Sequence, residues 1–390
     1  MDSSPKFNVV VIGVSCFDGM ASSIRVRNLL DTEIFKNSVI LNNLIYKVDA
    51  HGLDKKRGVQ KGITFLVVNA SSILSLFSAT WQGIGFIRKS KSKSCKNIIY
   101  NYQYIDIKNI LLLLYARLVG YKIVFDIVED NKYYTTFVNL KSKLKIATSI
   151  KFLKLTPRIG HHVITISHHL LTMMTKVCSD KISVSLIPIT VNLDRFPIES
   201  MKTPTTFKIF YGGSFGLKDG IEYLIKAFGK LSEKNKNVEL VMTGRASEED
   251  FQTLKGYLGE SDASEIINHL GFLDDDLYYE TLNTCHIFCM TRTNSKFANA
   301  GFPFKLGEFL ATGKAVIATK VGDIPNYLKH GKNALLITPE SVSELEKALQ
   351  YLLNNPEKIT AIGKEGRLVA EKNFDTYSWS SRLKDIFESI

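Results

Sequence analysis

The chain has 390 residues, of which 45% are hydrophobic, 11% aromatic and 23% charged. This excludes a disordered tail, a collagen and a disulfide miniprotein, and supplies material for two domain cores. The net charge of +12 is unevenly placed: residues 1–197 carry 27 Lys and Arg against 12 Asp and Glu, and residues 198–390 carry 23 against 26. The first half is therefore expected to meet something anionic, either a membrane surface, a polyanionic substrate or nucleic acid.

Residues 1–5 show no signal peptide, and the five cysteines at 16, 95, 178, 285 and 289 read as the reduced thiols of a cytosolic protein. Short β-branched runs then alternate with helix-length segments. They predict strands at 9–13, 64–69, 98–100, 123–125, 163–167 and 183–187. A second series is expected at 208–213, 238–244, 287–290, 315–319 and 334–337. Continuous apolar strands separated by helices mean parallel sheets covered on both faces, so two doubly wound α/β domains are expected. Prolines 188, 197 and 204 mark the boundary region. The most apolar stretch, 110–125, is interrupted by Arg117 and Lys122 and is too short to span a bilayer.

Ligands of doubly wound sheets bind at the carboxyl ends of the strands, so the chemistry is sought in the loops that follow them. The run from Gly212 and Gly213 through Ser214 to Lys218 and Gly220 follows the first strand of the second domain and precedes a helix at 221–231. Small residues there let the backbone approach a phosphate at a helix N-terminus, with Lys218 as a point charge; a tight strand-to-helix turn explains the same glycines. A helix at 303–312 is predicted with Pro303 at its start and Gly313 after its end. Lys305 and Glu308 share one of its faces. Glu308, flanked by apolar residues, is expected to face the interdomain cleft, where a carboxylate can accept two ribose hydroxyls. The other reading is a surface Glu paired with Lys305.

Asp274 and Asp276 form a D-x-D, but they open a helix, and N-capping by Asp274 explains them. Gly307 to Lys314 lacks P-loop spacing, and no G-x-G-x-x-G follows the first strand. His161, His162, His168 and His169 bracket a strand, and adjacent pairs make poor metal ligands. No metal and no cofactor are expected.

The order of these pieces, with Gly244-Arg245 and then Phe302-Pro303-x-Lys305-x-x-Glu308-x-x-Ala311-x-Gly313-Lys314, resembles the retaining GT-B glycosyltransferases of the large fourth sequence family (glycosyl transferases group 1). In the first half, the segment from Asp18 through Gly19, Met20, Ala21 and Ser22 to Arg25 is similar to that family's first glycine-containing loop. Phe125 to Glu129 is similar to its D-x-x-E segment, 164–167 and 187–196 to its strand-to-serine and linker segments, and 374–379 to the start of its returning C-terminal helix. The resemblance implies two Rossmann-like, doubly wound domains facing across a cleft. The N-terminal domain, 1–195 with helix 375–390, would bind the acceptor, and 196–374 would bind a nucleotide-sugar donor.

It also implies roles. Glu308 matches the glutamate that holds the nucleotide ribose, and Lys218 the lysine that neutralises the donor diphosphate. The donor would further meet Gly212, Gly213, Arg245, Gly301, Phe302, Pro303, Phe304 and Leu306. The first glutamate of the family's pair is Ala300 here, with Asn299 or the backbone at 301–304 as substitutes, and the family's loop arginine is Ser214, with Lys305 as the expected replacement. Gly19, Met20, Ala21 and Ser22 form the acceptor or phosphate loop. Asp126 and Glu129, expected at a strand end facing the cleft, are candidates for acceptor orientation or proton handling.

Residues 55–105 contain nine Lys and Arg and no acid, and residues 131–179 contain eight and no acid. Leu140, Leu144, Ala147, Ile150 and Leu153 recur at helical spacing among Lys141, Lys143, Lys145, Lys151 and Lys154, a basic amphipathic helix. It reads as a solvated face over a core stripe or as a surface that docks on anionic lipid. Nucleic acid is not expected, because no base-reading motif accompanies the charge. The expected function is a cytoplasmic, peripheral inner-face, metal-independent hexosyltransferase. It would act on a glycan or lipid-linked glycan in surface polysaccharide or glycoconjugate synthesis. The alternatives are a degenerate homologue acting as a binding subunit and a sugar-nucleotide epimerase.

Overall fold

The computed structural model describes residues 5–17, 19–47, 53, 55–134, 140–198, 204–245, 247–259 and 264–390, apart from the side chains of Ile73 and Lys141. Asp18 and residues 1–4 of the sequence reading lie outside these. The chain divides into two units, Met1–Pro188 with Thr376–Ile390, and Ile189–Asp375.

The first unit is built on β1 (Phe7–Ile12), β2 (Val39–Tyr46), β3 (Arg57–Gln60), β4 (Ile63–Val68), β5 (Lys96–Tyr102), β6 (Lys122–Ile127), β7 (His162–Thr165) and β8 (Ser183–Leu186). They lie in the order β3-β4-β2-β1-β5-β6-β7-β8. All neighbours are parallel except β3 and β4. Every residue of β1 is buried, which explains its unbroken apolar run. Two strands of this unit, and β11 (Ile267–His269) of the second, escape the sequence reading. β3 is a short edge strand joined to β4 by the two-residue turn Lys61-Gly62, where both φ angles are positive (49° and 76°), as a tight hairpin requires. β2 is interrupted by Asn42 and Asn43, yet both are buried. Asn42 donates to Asn8 Oδ1 at 3.0 Å, and Asn8 donates to Asn97 Oδ1 at 2.7 Å. This side-chain ladder crosses β2, β1 and β5 and satisfies amides that an apolar core would otherwise leave unpaired.

The C-terminal helix Thr376–Ser389 belongs to this first unit. The Phe387 ring lies 5.7 Å from that of Phe7 and 5.8 Å from that of Phe35. The hydroxyls of Thr376 and Ser380 donate to the Asn28 carbonyl.

The second unit holds β9 (Phe207–Gly212), β10 (Val238–Thr243), β11 (Ile267–His269), β12 (Ile287–Met290), β13 (Ala315–Thr319) and β14 (Leu335–Ile337). Their order is β11-β10-β9-β12-β13-β14, all parallel. The sequence direction reverses between β9 and β12, the switch point at which doubly wound sheets bind ligands. The helix Ile221–Lys234 buries Leu224, Ile225, Phe228 and Leu231 against this sheet.

The division at 188/189 precedes the expected 195/196. The Val191 amide donates to Phe374 O at 2.8 Å and Arg367 Nη1 to Phe196 O at 2.9 Å, so this connecting segment packs with the second unit. The helix expected at 303–312 is Lys305–Ala311, with Phe304 in the N-cap position and Pro303 outside it. Gly313 follows with φ of 70°. Among the described residues no helix is long and apolar enough to cross a membrane.

Candidate active site

The carboxyl edge of the second sheet gathers the predicted phosphate loop. Gly244 has φ of 153°, and a Cβ there would run into the Gly213 carbonyl; a Cβ on Gly220, at φ of 63°, would run into the Thr291 carbonyl. Glycine is thus required for the loops after β9, β10 and β12 to touch backbone to backbone. Thr291 Oγ1 donates to Asp219 O at 3.0 Å, and the Thr293 amide donates to Lys218 O at 3.0 Å. Ser214 Oγ donates to Asp219 Oδ2 at 2.5 Å, which ties the residue standing at the family's arginine position into its own loop. Lys218 Nζ lies 5.1 Å from the Phe297 ring centroid.

Two arginines share this edge. The Arg245 guanidinium lies 4.2 Å from the Phe272 ring, and its Nη1 is buried with no hydrogen-bond partner among the described residues. Arg292, two residues beyond β12, is buried and donates to Ala298 O at 3.2 Å. The sequence reading missed Arg292. Its signal was a cation directly after the apolar run 287–290, at the switch point.

Glu308 is not a surface residue. It is 5% exposed and sits among aromatic groups. Tyr278 donates to its Oε2 at 2.9 Å, Tyr279 to its Oε1 at 3.4 Å, and Lys305 Nζ lies 3.4 Å from Oε2. Burial, and then the Glu308 charge, push the Tyr278 and Tyr279 hydroxyls well above their ordinary pKa, so both stay protonated donors. A carboxylate accepts about four hydrogen bonds, and three sites are occupied here. Lys305 lies against the Tyr278 ring, 3.8 Å from its centroid, and serves Glu308.

Ala300 is fully buried at the end of the helix Lys296–Ala300. The Asn299 amide donates to Asn294 Oδ1 and Ser295 O, and its Oδ1 accepts from the Gly322 amide, each at 2.9 Å. Its hydrogen-bonding groups thus hold the loop itself. Phe302 packs its ring on Tyr327 and Phe374. Gly301, Pro303 and Leu306 are buried, and Phe304 is half-buried.

In the first unit Asp126 does not face open space. It lies inside β6, fully buried, and both oxygens are taken by Arg25, from Nε at 2.7 Å and Nη2 at 2.9 Å. Tyr100 donates to it at 2.5 Å. Arg25 also donates to the carbonyls of Ile187 and Pro188. Burial opposes the Arg25 charge, but the adjacent carboxylate holds the guanidinium above its ordinary pKa. Through Arg25, Asp126 ties the helix Ala21–Leu30 to the end of this unit. Glu129 is half-buried beyond β6, and its carbonyl accepts from Tyr104. Gly19 and Met20 precede the helix Ala21–Leu30, with Met20 at its N-cap, and both are half-buried with Ala21 and Ser22. At the same carboxyl edge His169 Nε2 lies 2.9 Å from Asp130 Oδ2, a pair the sequence reading did not connect.

Asp274 caps its helix as expected, with Oδ1 accepting from the Leu277 amide at 3.0 Å. Among the described residues no three His, Cys, Asp or Glu side chains gather as a metal site. The basic helix is Leu140–Phe152. Its inward side is Ser149, which accepts from Asn131 at 2.7 Å, and Leu140, Leu144 and Ile150 point out, exposed. Leu74, Phe77 and Trp81 on the helix Ile73–Ser90 are exposed too, as are Leu111, Leu114 and Leu118 on the helix Ile110–Leu118.

Residues 195–369 match the family described as glycosyl transferases group 1. The MMP alpha-(1->4)-mannosyltransferase of Mycolicibacterium hassiacum is 26% identical over 163 residues, 42% of this chain and 37% of that protein. The phosphatidyl-myo-inositol mannosyltransferase of Mycobacterium leprae is 24% identical over 185 residues, 47% of this chain and 46% of that protein. An uncharacterized glycosyltransferase of Haemophilus influenzae is 26% identical over 154 residues, 39% of this chain and 41% of that protein. The matched stretch thus spans less than half the length of these relatives. Among solved structures, Anabaena Alr3699/HepE in complex with UDP-glucose superposes with a TM-score of 0.74 at 16% identity, over 98% of this chain and 100% of that one. Sucrose-phosphate synthase from Thermosynechococcus elongatus does so with a TM-score of 0.74 at 15% identity, over 98% of each. Residues 195–369 thus resemble the glycosyl transferases group 1 family, and the two Rossmann-like domains have the GT-B fold.

Proposed function

We propose that this chain is a metal-independent, retaining hexosyltransferase that moves a sugar from a nucleotide-diphosphate donor to a glycan or lipid-linked glycan, in surface polysaccharide or glycoconjugate synthesis. The observation that carries the reading is the cationic, glycine-walled carboxyl edge at the β9/β12 switch point, inside the matched region. Anabaena Alr3699/HepE, which shares the fold, was solved with UDP-glucose.

The donor diphosphate lies over the loop 212–220 and meets Lys218, Arg245 and Arg292. Charge grows on the departing phosphate oxygen as its bond to the anomeric carbon breaks. Fixed cations and amides that await that charge lower the barrier without reorganising. The acceptor hydroxyl bonds to the anomeric carbon on the same face, and its proton passes to the departing phosphate oxygen. The protein's part is positioning and charge stabilisation. Glu308 holds the ribose with its remaining acceptor site, oriented by Tyr278, Tyr279 and Lys305. The acceptor lies on the first unit, near Gly19 to Ser22.

The exposed leucines of the helix Leu140–Phe152, set among lysines, support peripheral docking on an anionic inner-face membrane. The test of the activity is a transfer and hydrolysis assay with a panel of nucleotide sugars, run with and without EDTA. Sugar release or transfer that persists in the chelator is expected. Binding without turnover of any donor favours the second reading, a degenerate binding subunit, which rests on the buried Ala300 and the tied Asn299. No binding of any donor overturns both.

A further inference from the structure

Away from the carboxyl edge, the first unit contains a cavity of about 880 Å³ at the opposite, amino-terminal edge of its sheet. Lys122, His162 and Ser183 line it and are the first residues of β6, β7 and β8. The C-terminal helix closes it with Arg382 and Asp385, and Arg117, His161 and Lys181 complete the wall. Four cations thus surround one cavity, and Asp385 is the sole acidic side chain among its lining residues.

None of the four makes a salt bridge to a described carboxylate. Arg117 donates to the Ile159 carbonyl at 2.8 Å, which orients its guanidinium but leaves its charge unneutralised. Like charges held together repel, and an anion placed among them relieves that repulsion. Polar groups lie beside the charges: His162 Nε2 and Ser185 Oγ share a hydrogen bond of 3.0 Å in the cavity wall. The two histidines register the surrounding charge. Burial, then Arg117 and Lys122, lower His161 to a pKa of about 4. Burial, then Arg382, lower His162 to about 4. Both are neutral hydrogen-bonding groups at pH 7. The volume lies in the range of small-molecule sites, about 300–1,000 Å³.

We propose that this cavity binds a phosphate-bearing anion, carried by a soluble phosphorylated compound or by a phospholipid headgroup, at a site separate from the carboxyl edge where sugar transfer is proposed. Phosphate matches a wall of arginines and lysines because each oxygen accepts charge-assisted hydrogen bonds. The inference stands on the first unit alone and does not depend on the donor assignment.

The probe is inorganic tripolyphosphate, titrated calorimetrically into the full chain. Lys181 and Arg382 are exposed, so the double variant Lys181→Ser/Arg382→Ser is expected to fold. It should bind at least about tenfold more weakly. Lys218→Ala and the charge-matched control Lys358→Ser/Lys372→Ser should leave this site unchanged. Equal affinity in wild type and Lys181→Ser/Arg382→Ser, or equal loss in the control, overturns the proposal. A second arm distinguishes the sources. If Lys181→Ser/Arg382→Ser also loses co-sedimentation with phosphatidic acid vesicles, the anion is a lipid headgroup. If only tripolyphosphate binding falls, it is a soluble compound.

Discussion

The Tyr278 hydroxyl donates to Glu308 at 2.9 Å, both residues buried, with Lys305 over the tyrosine ring. A buried acceptor that loses a hydrogen-bond donor is left unsatisfied. Tyr278→Phe removes one and should cost about 1–3 kcal/mol of stability, read by urea denaturation. It should also weaken donor binding, because Glu308 loses a group that orients it. Wild-type donor affinity in Tyr278→Phe argues against that orienting role.

Glu308→Gln and Lys218→Ala should each lower turnover at least about tenfold, on the order of 1.4 kcal/mol of transition-state stabilisation. Arg245→Ala and Arg292→Ala should weaken donor binding, with Arg245→Ala the cleaner test because its Nη1 has no partner among the described residues to lose. Lys305→Ala should act through Glu308 and so resemble Glu308→Gln. Wild-type donor affinity and turnover throughout this series would remove the site from the β9/β12 edge.

Arg25 and Asp126 form a fully buried pair with two hydrogen bonds. Removing either partner strands a charge, at a cost of about 3–5 kcal/mol. Arg25→Ala and Asp126→Asn should lower the melting temperature markedly, and any loss of activity should follow the loss of folded protein. An inactive Asp126→Asn with a wild-type melting temperature would restore Asp126 as a catalytic candidate.

Three histidines are held neutral. Burial, followed by neighbouring cations, lowers His161, His162 and His286 to about 4 from 6.5. Between those pH values the unfolded chain binds more protons, so stability rises with pH. Their contribution is complete above about pH 6.5 and is lost as the pH falls toward 4. Melting temperatures between pH 7.5 and 4.5 should show this decline, and His162→Gln/His286→Gln should flatten it. A double variant with the wild-type slope would assign the decline to other groups.

The outward leucines of the helix Leu140–Phe152 and the exposed Phe77 and Trp81 predict salt-sensitive co-sedimentation with anionic but not neutral vesicles. Replacing Lys141, Lys143, Lys145 and Lys151 by Glu should release the protein and leave donor binding intact. Phe77→Ser/Trp81→Ser should weaken sedimentation further. Equal partitioning to both vesicle types, or to neither, would leave this surface simply solvated.

What the sequence determined by itself is what a short window encodes. Unbroken apolar runs predict β1, β6, β12 and β13, and turn chemistry places Gly213, Gly220 and Gly244 where side chains cannot fit. Asp274 is legible as a cap because the amide it accepts from lies three residues on. Tertiary structure decided the rest through partners far apart in the chain. Asn42 and Asn43 are tolerated within β2 because Asn8 and the loop after β1 receive their amides. Asp126 became an anchor because Arg25, 101 residues earlier, reaches it. Glu308 is enclosed because Tyr278 and Tyr279 approach from a preceding helix. The periodicity of 140–153 revealed an apolar stripe but not its direction. Period records which residues share a face, whereas the crossovers of the sheet decide what, if anything, covers it.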